Sequence, residues 1–191
     1  MQNKIEKCYQ VKVSIKNSKP FTWRRLKIPS NITFNELAAI IQIVFKWSGY
    51  HLYEFEIDRE IAKFGKIITL PYDELDDLDL IRGKHILSNE EKIDKYMKNG
   101  KKIRFVYDFG DDWEHDVFIE KILDEKIENP ICIKVVHGPY PEDCGGIDSF
   151  EDNFCDYDRD EELDINYINE ELENYKNFAE EIWNNHTDSN M

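Results

Sequence analysis

The sequence predicts a single α+β domain that is built on a mixed or antiparallel β-sheet. Segments in which apolar and polar residues alternate recur along the 191-residue chain, and this period is typical of half-buried strands. One amphipathic helix interrupts these segments early, and an acidic stretch with spaced apolar residues indicates another helix at the C-terminal end. Because the strands and helices do not alternate strictly, the pattern does not favour a parallel βαβ arrangement.

The first two strands are predicted as a hairpin over residues 9–28. Residues 9–16 read YQVKVSIK, in which valine and isoleucine alternate with lysine and serine. A turn that ends at Pro20 follows, and residues 21–28, FTWRRLKI, supply the second strand.

A helix is predicted over residues 33–47, and we expect it to pack on the sheet. Thr33 and Glu36 have the spacing of a capping box, in which each residue bonds the backbone of the other. Gly49 ends the pattern. The apolar residues that recur at helical spacing are Leu37, Ile40, Ile41 and Val44.

The rest of the chain completes the sheet and ends in a helix. Gly110-Asp111 lies between two alternating segments, which indicates a hairpin. The remaining predicted elements are strands at 50–58, 66–70, 102–109, 112–123 and 131–136, an acidic loop at 73–79, a short helix at 89–98, a loop over 139–160 and a helix over 161–184.

The net charge of −15 is spread unevenly along the chain. Residues 1–27 hold eight Lys or Arg against one Glu, whereas residues 139–191 hold seventeen carboxylates against two basic residues. The acidic end should repel nucleic acid and attract basic surfaces. A phosphate-binding face, if one exists, is therefore expected in the N-terminal third.

Neither a membrane span nor a secretory signal is expected. No apolar run approaches the roughly 18 residues that cross a bilayer, and the opening MQNKIEKCYQ lacks an apolar core. The four cysteines form no CxxC pair, so we expect free thiols and a cytoplasmic protein.

Residues 107–115, YDFGDDWEH, are the strongest candidate for chemistry. One interpretation is a tight turn in which aspartates bond backbone N–H groups beside a glycine. The other is a site, because strand alternation places His115 and His51 on the apolar faces of two strands. If those strands pair, the histidines would converge with Asp108 or Asp112 and with the PEDCGG loop, which contains Asp143.

Such a cluster suits two kinds of chemistry. We assign His115, Asp112, Asp108 and His51 as catalytic, and Asp108, Asp112, His115 and Asp143 as ligands of a divalent metal. Mg²⁺ would prefer the carboxylates, whereas Zn²⁺ or Mn²⁺ would recruit the histidines, with Cys144 as a further candidate. A metal-free alternative uses a histidine as general acid or base in RNA cleavage.

A basic-aromatic segment is the candidate contact for nucleic acid. Trp23 could stack on a base while Arg24, Arg25 and Lys27 contact phosphates. The alternative is that Trp23 lies in the core and the arginines pair with the abundant carboxylates.

Four stretches together resemble the plasmid pRiA4b ORF-3-like family. They begin with YQVKVSIK and continue with HLYEFEI, VYDFGDDWEHDVFIEKI and PYPEDCGGI, in the order that the family uses. The resemblance implies an α+β domain, which we place at residues 1–155, with an acidic helical extension at 156–191. It also implies a setting on plasmids, transposons or phages. Some members are labelled resolvase-like, and some relatives occur among anti-CRISPR proteins.

Two functions follow from these observations. The first is a counter-defence nuclease that cleaves nucleic acid, RNA rather than DNA, with CRISPR guide RNA as one target. The second is an acidic inhibitor without chemistry that imitates nucleic acid and blocks a CRISPR effector or another nucleic-acid enzyme.

Overall fold

Among the residues that the structure describes, eight strands and four helices carry the fold. The computed structural model describes residues 7–62, 65–72, 85–138, 140–153 and 163–187. The strands are β1 (Cys8–Ile15), β2 (Trp23–Pro29), β3 (Tyr53–Ile57), β4 (Lys66–Thr69), β5 (His85–Leu87), β6 (Lys102–Tyr107), β7 (Trp113–Leu123) and β8 (Ile131–Val136). The helices are α1 (Phe34–Phe45), α2 (Gly146–Asn153), α3 (Ile165–Leu172) and α4 (Tyr175–Thr187), with one 3-10 turn at Ile93–Lys95.

The strands form one sheet in the order β5-β4-β3-β6-β7-β1-β2-β8, and this confirms the predicted α+β class. All neighbours are antiparallel except β4 and β5. The predicted hairpin over 9–28 is present, because β1 and β2 pair with Val11 opposite Leu26. Their inward residues are buried, and most of those on the other face, among them Lys12 and Arg25, are partly exposed.

Helix α1 packs on the inner face, where all but one of its residues are buried. The predicted capping box is present: Thr33 Oγ1 accepts from the Glu36 backbone N–H at 3.1 Å, and Glu36 accepts from the Thr33 N–H at 2.6 Å. The helix ends at Phe45 rather than at residue 47, because Lys46 adopts a left-handed conformation with φ of 60°.

The structure differs from the predicted elements in four places. Helix α2 occupies part of the predicted 139–160 loop, because Ile147 and Phe150 fall on one helical side and pack into the core. The predicted 161–184 helix is two helices that are separated by a turn at 173–174. The short strand β5 was not predicted, and the predicted 89–98 helix is reduced to one 3-10 turn. The predicted acidic loop at 73–79 lies outside the described residues.

The C-terminal helices belong to the same core as the sheet. Leu172, Tyr175 and Ile182 are each no more than 1% exposed. The Asn35 side-chain amide donates to the Ala179 carbonyl at 2.8 Å, which ties α4 to the start of α1. The predicted boundary between residues 155 and 156 lies in a segment that the structure does not describe, so it stays a prediction.

Strand β8 is an edge of the sheet, and α3 covers part of it. The Asn169 side chain accepts from the Cys132 N–H at 2.7 Å and donates to the Cys132 carbonyl at 3.1 Å. One amide side chain thus takes the place of a neighbouring strand at this residue. Within the described ranges, no helix has both the length and the apolar character to cross a bilayer.

Candidate metal centre

Three loops bring His51, Asp108 and Asp143 together beside the start of β3 and the end of β6. His51 Nε2 lies 3.1 Å from Asp143 Oδ1, and His51 Nδ1 lies 3.7 Å from Asp108 Oδ2. One potential ligand atom from each residue lies within 4.8 Å of the other two. This three-residue cluster is the metal centre that we consider below.

Asp108 serves both the turn and the cluster. Its backbone is left-handed with φ of 59°, a conformation that Asp tolerates better than most residues. Its Oδ1 accepts from the N–H groups of Gly110 and Asp111 at 2.9 and 3.3 Å, while Oδ2 faces His51. The two interpretations of YDFGDDWEH are therefore compatible, since one carboxylate oxygen builds the turn and the other remains for the cluster.

Asp111 holds the loop that contains Asp143 against the turn that contains Asp108. The sequence did not indicate this role. Its Oδ2 accepts from the backbone N–H groups of Cys144 and Gly145, each at 3.1 Å. Gly146 passes so close that an added Cβ would lie 2.2 Å from the Asp111 carbonyl oxygen. These contacts hold the neighbouring Asp143 beside His51, and the Gly145-Gly146 pair was the sequence signal for a close backbone approach.

Tyr107 contacts the His51 ring of the cluster and is itself hydrogen-bonded to Glu142. The Tyr107 hydroxyl donates to Glu142 Oε1 at 2.5 Å, and the Ser48 N–H donates to Glu142 Oε2 at 2.9 Å. Burial of the phenol, followed by its bond to Glu142, raises the pKa of Tyr107, which keeps the hydroxyl protonated as a donor. The His51 ring lies edge-on to the Tyr107 ring at 5.7 Å.

The structure does not bring His115 to this cluster. His115 is fully buried, and its Nδ1 lies 2.9 Å from the Trp113 carbonyl oxygen. Two rings lie between the histidines: Tyr107, which contacts His51, stacks on Trp47 at 5.0 Å, and Trp47 lies edge-on to His115 at 5.1 Å. The expected convergence of His51 and His115 is therefore not observed. The strand register sets His115 opposite Phe105 and Phe105 opposite Phe55, which lies four residues after His51.

Asp112 and Cys144 lie near the cluster without belonging to it. The Asp112 N–H donates to the Asp108 carbonyl at 2.7 Å and closes the turn, and its side chain is exposed. Burial and then the charge of Asp111 raise the pKa of the Cys144 thiol, which disfavours the thiolate that a metal would need. Asp108 and Asp143 are thus the two predicted metal ligands that the structure places together.

The donor set fits a divalent transition metal. One imidazole and two carboxylates suit Mn²⁺ or Zn²⁺ better than Mg²⁺, which favours a shell of oxygen atoms. Three protein ligands would leave positions for water and a substrate oxygen. The exposed side-chain fraction rises from 10% at Asp108 through 29% at His51 to 75% at Asp143, so the cluster opens to solvent at Asp143.

The predicted nucleic-acid residues divide between the two faces of the sheet. Arg24 is fully buried; it donates to the carbonyls of Val44, Val136 and His137 at 2.8 to 3.1 Å. Trp23 and Arg25 lie on the outer face, with the Arg25 guanidinium 4.9 Å from the Trp23 ring centroid. Lys27 pairs with Glu125 on the same face at 3.0 Å.

Comparison with known proteins gives three likenesses. The family model described as plasmid pRiA4b ORF-3-like protein matches residues 7–189. The "Uncharacterized protein y4hQ" of Sinorhizobium fredii (strain NBRC 101917 / NGR234) is 30% identical over 149 residues, which are 77% of this chain and 71% of that protein. The crystal structure of the protein of unknown function MM3350 from Methanosarcina mazei Go1 has a TM-score of 0.68 and 33% identity, over 93% of this chain and 89% of that one.

Proposed function

The chain belongs to the plasmid pRiA4b ORF-3-like family, and we propose that it is a metal-dependent phosphodiesterase that cleaves single-stranded nucleic acid, RNA in preference to DNA. The observation that carries this proposal is the approach of His51, Asp108 and Asp143 within 4.8 Å of one another. The resemblance to proteins of mobile elements supports a counter-defence role in the cytoplasm, with CRISPR guide RNA as one target.

The residues have distinct roles in this proposal. A bound divalent ion makes water a nucleophile near neutral pH and stabilises negative charge on a phosphate. Asp108 and His51 would hold it on the protein side, and the exposed Asp143 would complete the set where substrate arrives. Water adds to phosphorus, the phosphorus–oxygen ester bond breaks, and the leaving oxygen takes up a proton.

Two exposed aromatic side chains beside the cluster support a nucleic-acid substrate. Tyr50 precedes His51 and is 73% exposed, and Phe109 follows Asp108 and is 45% exposed. Aromatic rings on either side of a phosphate-binding centre can stack on the bases that flank the bond to be cleaved.

The test is cleavage of end-labelled RNA and single-stranded DNA with Mn²⁺, Zn²⁺ or Mg²⁺, or with a chelator. We expect Asp108→Asn and His51→Gln to lower the cleavage rate by about 100-fold or more, as loss of metal-site residues commonly does. Asp148→Asn, an exposed carboxylate in the first turn of α2, is the matched control and should cleave normally. Cleavage that persists in chelator, or in a variant that combines Asp108→Asn with His51→Gln, would overturn the proposal.

The same cleavage assay tests Asp112 and His115, which the sequence predicts as catalytic residues and which the structure places outside the cluster. Asp112→Asn should retain cleavage if closing the turn through its backbone is its role. His115→Gln should retain cleavage in the folded protein if the buried ring acts only in packing. A selective loss of rate in either variant, with normal metal binding, would restore that residue to the catalytic set.

A second candidate function is the acidic inhibitor. It is favoured by the exposed carboxylates along α3 and α4, among them Glu170, Glu173 and Glu180. A CRISPR effector or another nucleic-acid enzyme would then be blocked by Asp108→Asn protein as well as by the unaltered protein. The inhibition should weaken as salt rises and as carboxylates in 148–173 are neutralised.

A further inference from the structure

A row of basic residues crosses the outer face of the sheet. Strands β6, β7, β1, β2 and β8 pair so that Lys102, Phe118, Lys12, Arg25 and Lys134 stand directly opposite one another in turn. Adjacent strands lie about 4.8 Å apart, so this basic row spans roughly 19 Å. Four of its five members are cationic in a chain whose net charge is −15.

Trp23 lies beside the basic row and is surrounded by three of its cations. The Lys12 Nζ lies 5.9 Å from the indole ring centroid, the Arg25 Cζ lies at 4.9 Å and the Lys134 Nζ at 5.3 Å. Phe118 in the same row is 36% exposed, and Phe21, two residues before β2, is 51% exposed. Aromatic faces and cations are therefore interleaved on one open surface.

Two carboxylates beside the basic row, Glu120 and Asp116, are engaged by neighbouring donors. Glu120 accepts two hydrogen bonds from Arg25, at 2.7 and 2.8 Å, and a third from Gln10 at 2.8 Å. Asp116 pairs with Lys102 at 2.9 Å. The Lys12 and Lys134 ammonium groups lie over aromatic rings, where a phosphate can approach them, and the charge of Lys12 also acts on Glu120.

We propose that this outer face binds single-stranded nucleic acid, with bases stacked on Trp23 and Phe118 and phosphates on Lys12 and Lys134. Stacking platforms that alternate with cations are the usual device for binding a single strand without reading its sequence. The proposal takes its substrate class from the proposed function and names the surface that would hold that substrate. Arg24 plays no part because it is buried, and Arg25 acts by holding Trp23 and Glu120 in place.

The test is fluorescence anisotropy with a labelled single strand of about 12 nucleotides, as RNA and as DNA, at about 50 mM salt and in chelator. We expect Trp23→Ala to weaken binding by at least about fivefold. The Lys12→Ala/Lys134→Ala variant should weaken it further and reduce the slope of log affinity against log salt by about 1.4, the value for two phosphate contacts on a single strand. The control of equal charge is Lys92→Ala/Lys95→Ala, which removes two lysines beside α1 and away from the outer face.

Each outcome decides a different question. Loss of binding in the outer-face variants, with normal binding by the control, supports this surface independently of cleavage, because the assay is run in chelator. Binding that all variants retain, or no binding by the unaltered protein, overturns it even if cleavage is observed. Self-association that Trp23→Ala abolishes in analytical ultracentrifugation would assign the face to a second copy of this chain and overturn the proposal.

Discussion

Arg24 and His115 are polar side chains that the fold buries completely. The Arg24 guanidinium donates to Val44 at the C-terminal end of α1, where the helix carries partial negative charge, and it lies 4.6 Å from the Phe45 ring centroid. Burial lowers the pKa of Arg24 to about 10, so the group stays charged at neutral pH. Hydrogen bonds to backbone carbonyls compensate His115 only in part, and burial lowers its pKa to about 4.

The buried His115 should make stability depend on pH. Between about pH 4 and 6.5 the unfolded chain binds a proton at His115 that the folded protein excludes, so stability is lost as pH falls through this window. We expect His115→Gln to flatten the plot of unfolding free energy against pH there, by on the order of 3 kcal/mol. Urea unfolding at a series of pH values measures this.

The comparison needs a histidine that is not buried. His186→Gln, which removes a partly exposed histidine from α4, is the control variant. Equal slopes for His115→Gln and the unaltered protein would show that folding does not shift the pKa of His115.

Alternation along a strand predicts which face a residue takes, but it cannot place residues that precede a strand. It predicts the inward position of His115 with Trp113 and Val117, and applied to β2 it puts Arg24 inward with Leu26. It misplaced His51, which lies in the loop before β3. Asp143 joins the cluster through a loop contact that no local pattern encodes.

At the scale of elements, the 108–112 turn and the 140–146 loop form one unit. Trp47 Nε1 donates to the Tyr140 carbonyl at 2.9 Å at the loop's start, and Asp111 holds its end. The metal centre therefore depends on how closely the loop backbone approaches the turn, and Gly146 is the closest point.

Gly146→Ala should damage the metal centre and spare the core. An added Cβ would lie 2.2 Å from the Asp111 carbonyl oxygen, so the loop must move and carry Asp143 away from His51. We expect Mn²⁺ affinity, measured by titration calorimetry, to fall by about tenfold or more, as for the loss of supporting contacts at other metal sites.

Gly100→Ala is the matched control. Gly100 has φ of 74° against 75° for Gly146, but its added Cβ would meet nothing within 4 Å. Both variants carry the left-handed penalty of about 1–2 kcal/mol, and only Gly146→Ala should lose metal affinity. Equal Mn²⁺ affinities for Gly146→Ala and Gly100→Ala would show that the metal centre does not depend on the close approach of the loop to the turn.

Elements were predictable where the pattern is local and strong. The capping box and apolar stripe of α1 and the alternation of the hairpin strands match the structure closely. Helix α2 was missed because it begins at the second of two consecutive glycines. Strand β5 was missed because a three-residue strand that joins β4 in parallel carries almost no periodicity.

At the scale of the whole molecule, one core joins the sheet, α1 and the C-terminal helices. An added Cβ on Gly49 would lie 2.7 Å from Ile182 Cγ1, so the end of α1 and α4 are in close contact. The acidic extension predicted for 156–191 is therefore, over its described residues, a structural part of the domain, and the family model extends to residue 189.

A chain shortened to residues 1–155 should not fold stably. It lacks Leu172, Tyr175 and Ile182, and burial of each large side chain contributes about 1.5–3 kcal/mol. Their sum is comparable to the 5–15 kcal/mol of a typical domain. Thermal and urea unfolding measure the loss, and a chain that ends at residue 187 is the control. A cooperative transition of normal midpoint for 1–155 would restore the predicted boundary.

The two hydrogen bonds between the Asn169 side chain and the Cys132 backbone should limit aggregation at high protein concentration. A sheet edge with open N–H and carbonyl groups invites strands from other molecules, which is how many proteins begin to aggregate. At Cys132 both groups are already occupied by one side chain, so an incoming strand would first have to displace α3. Helix α3, which packs into the core, thus also blocks the β8 edge of the sheet against the addition of strands from other molecules.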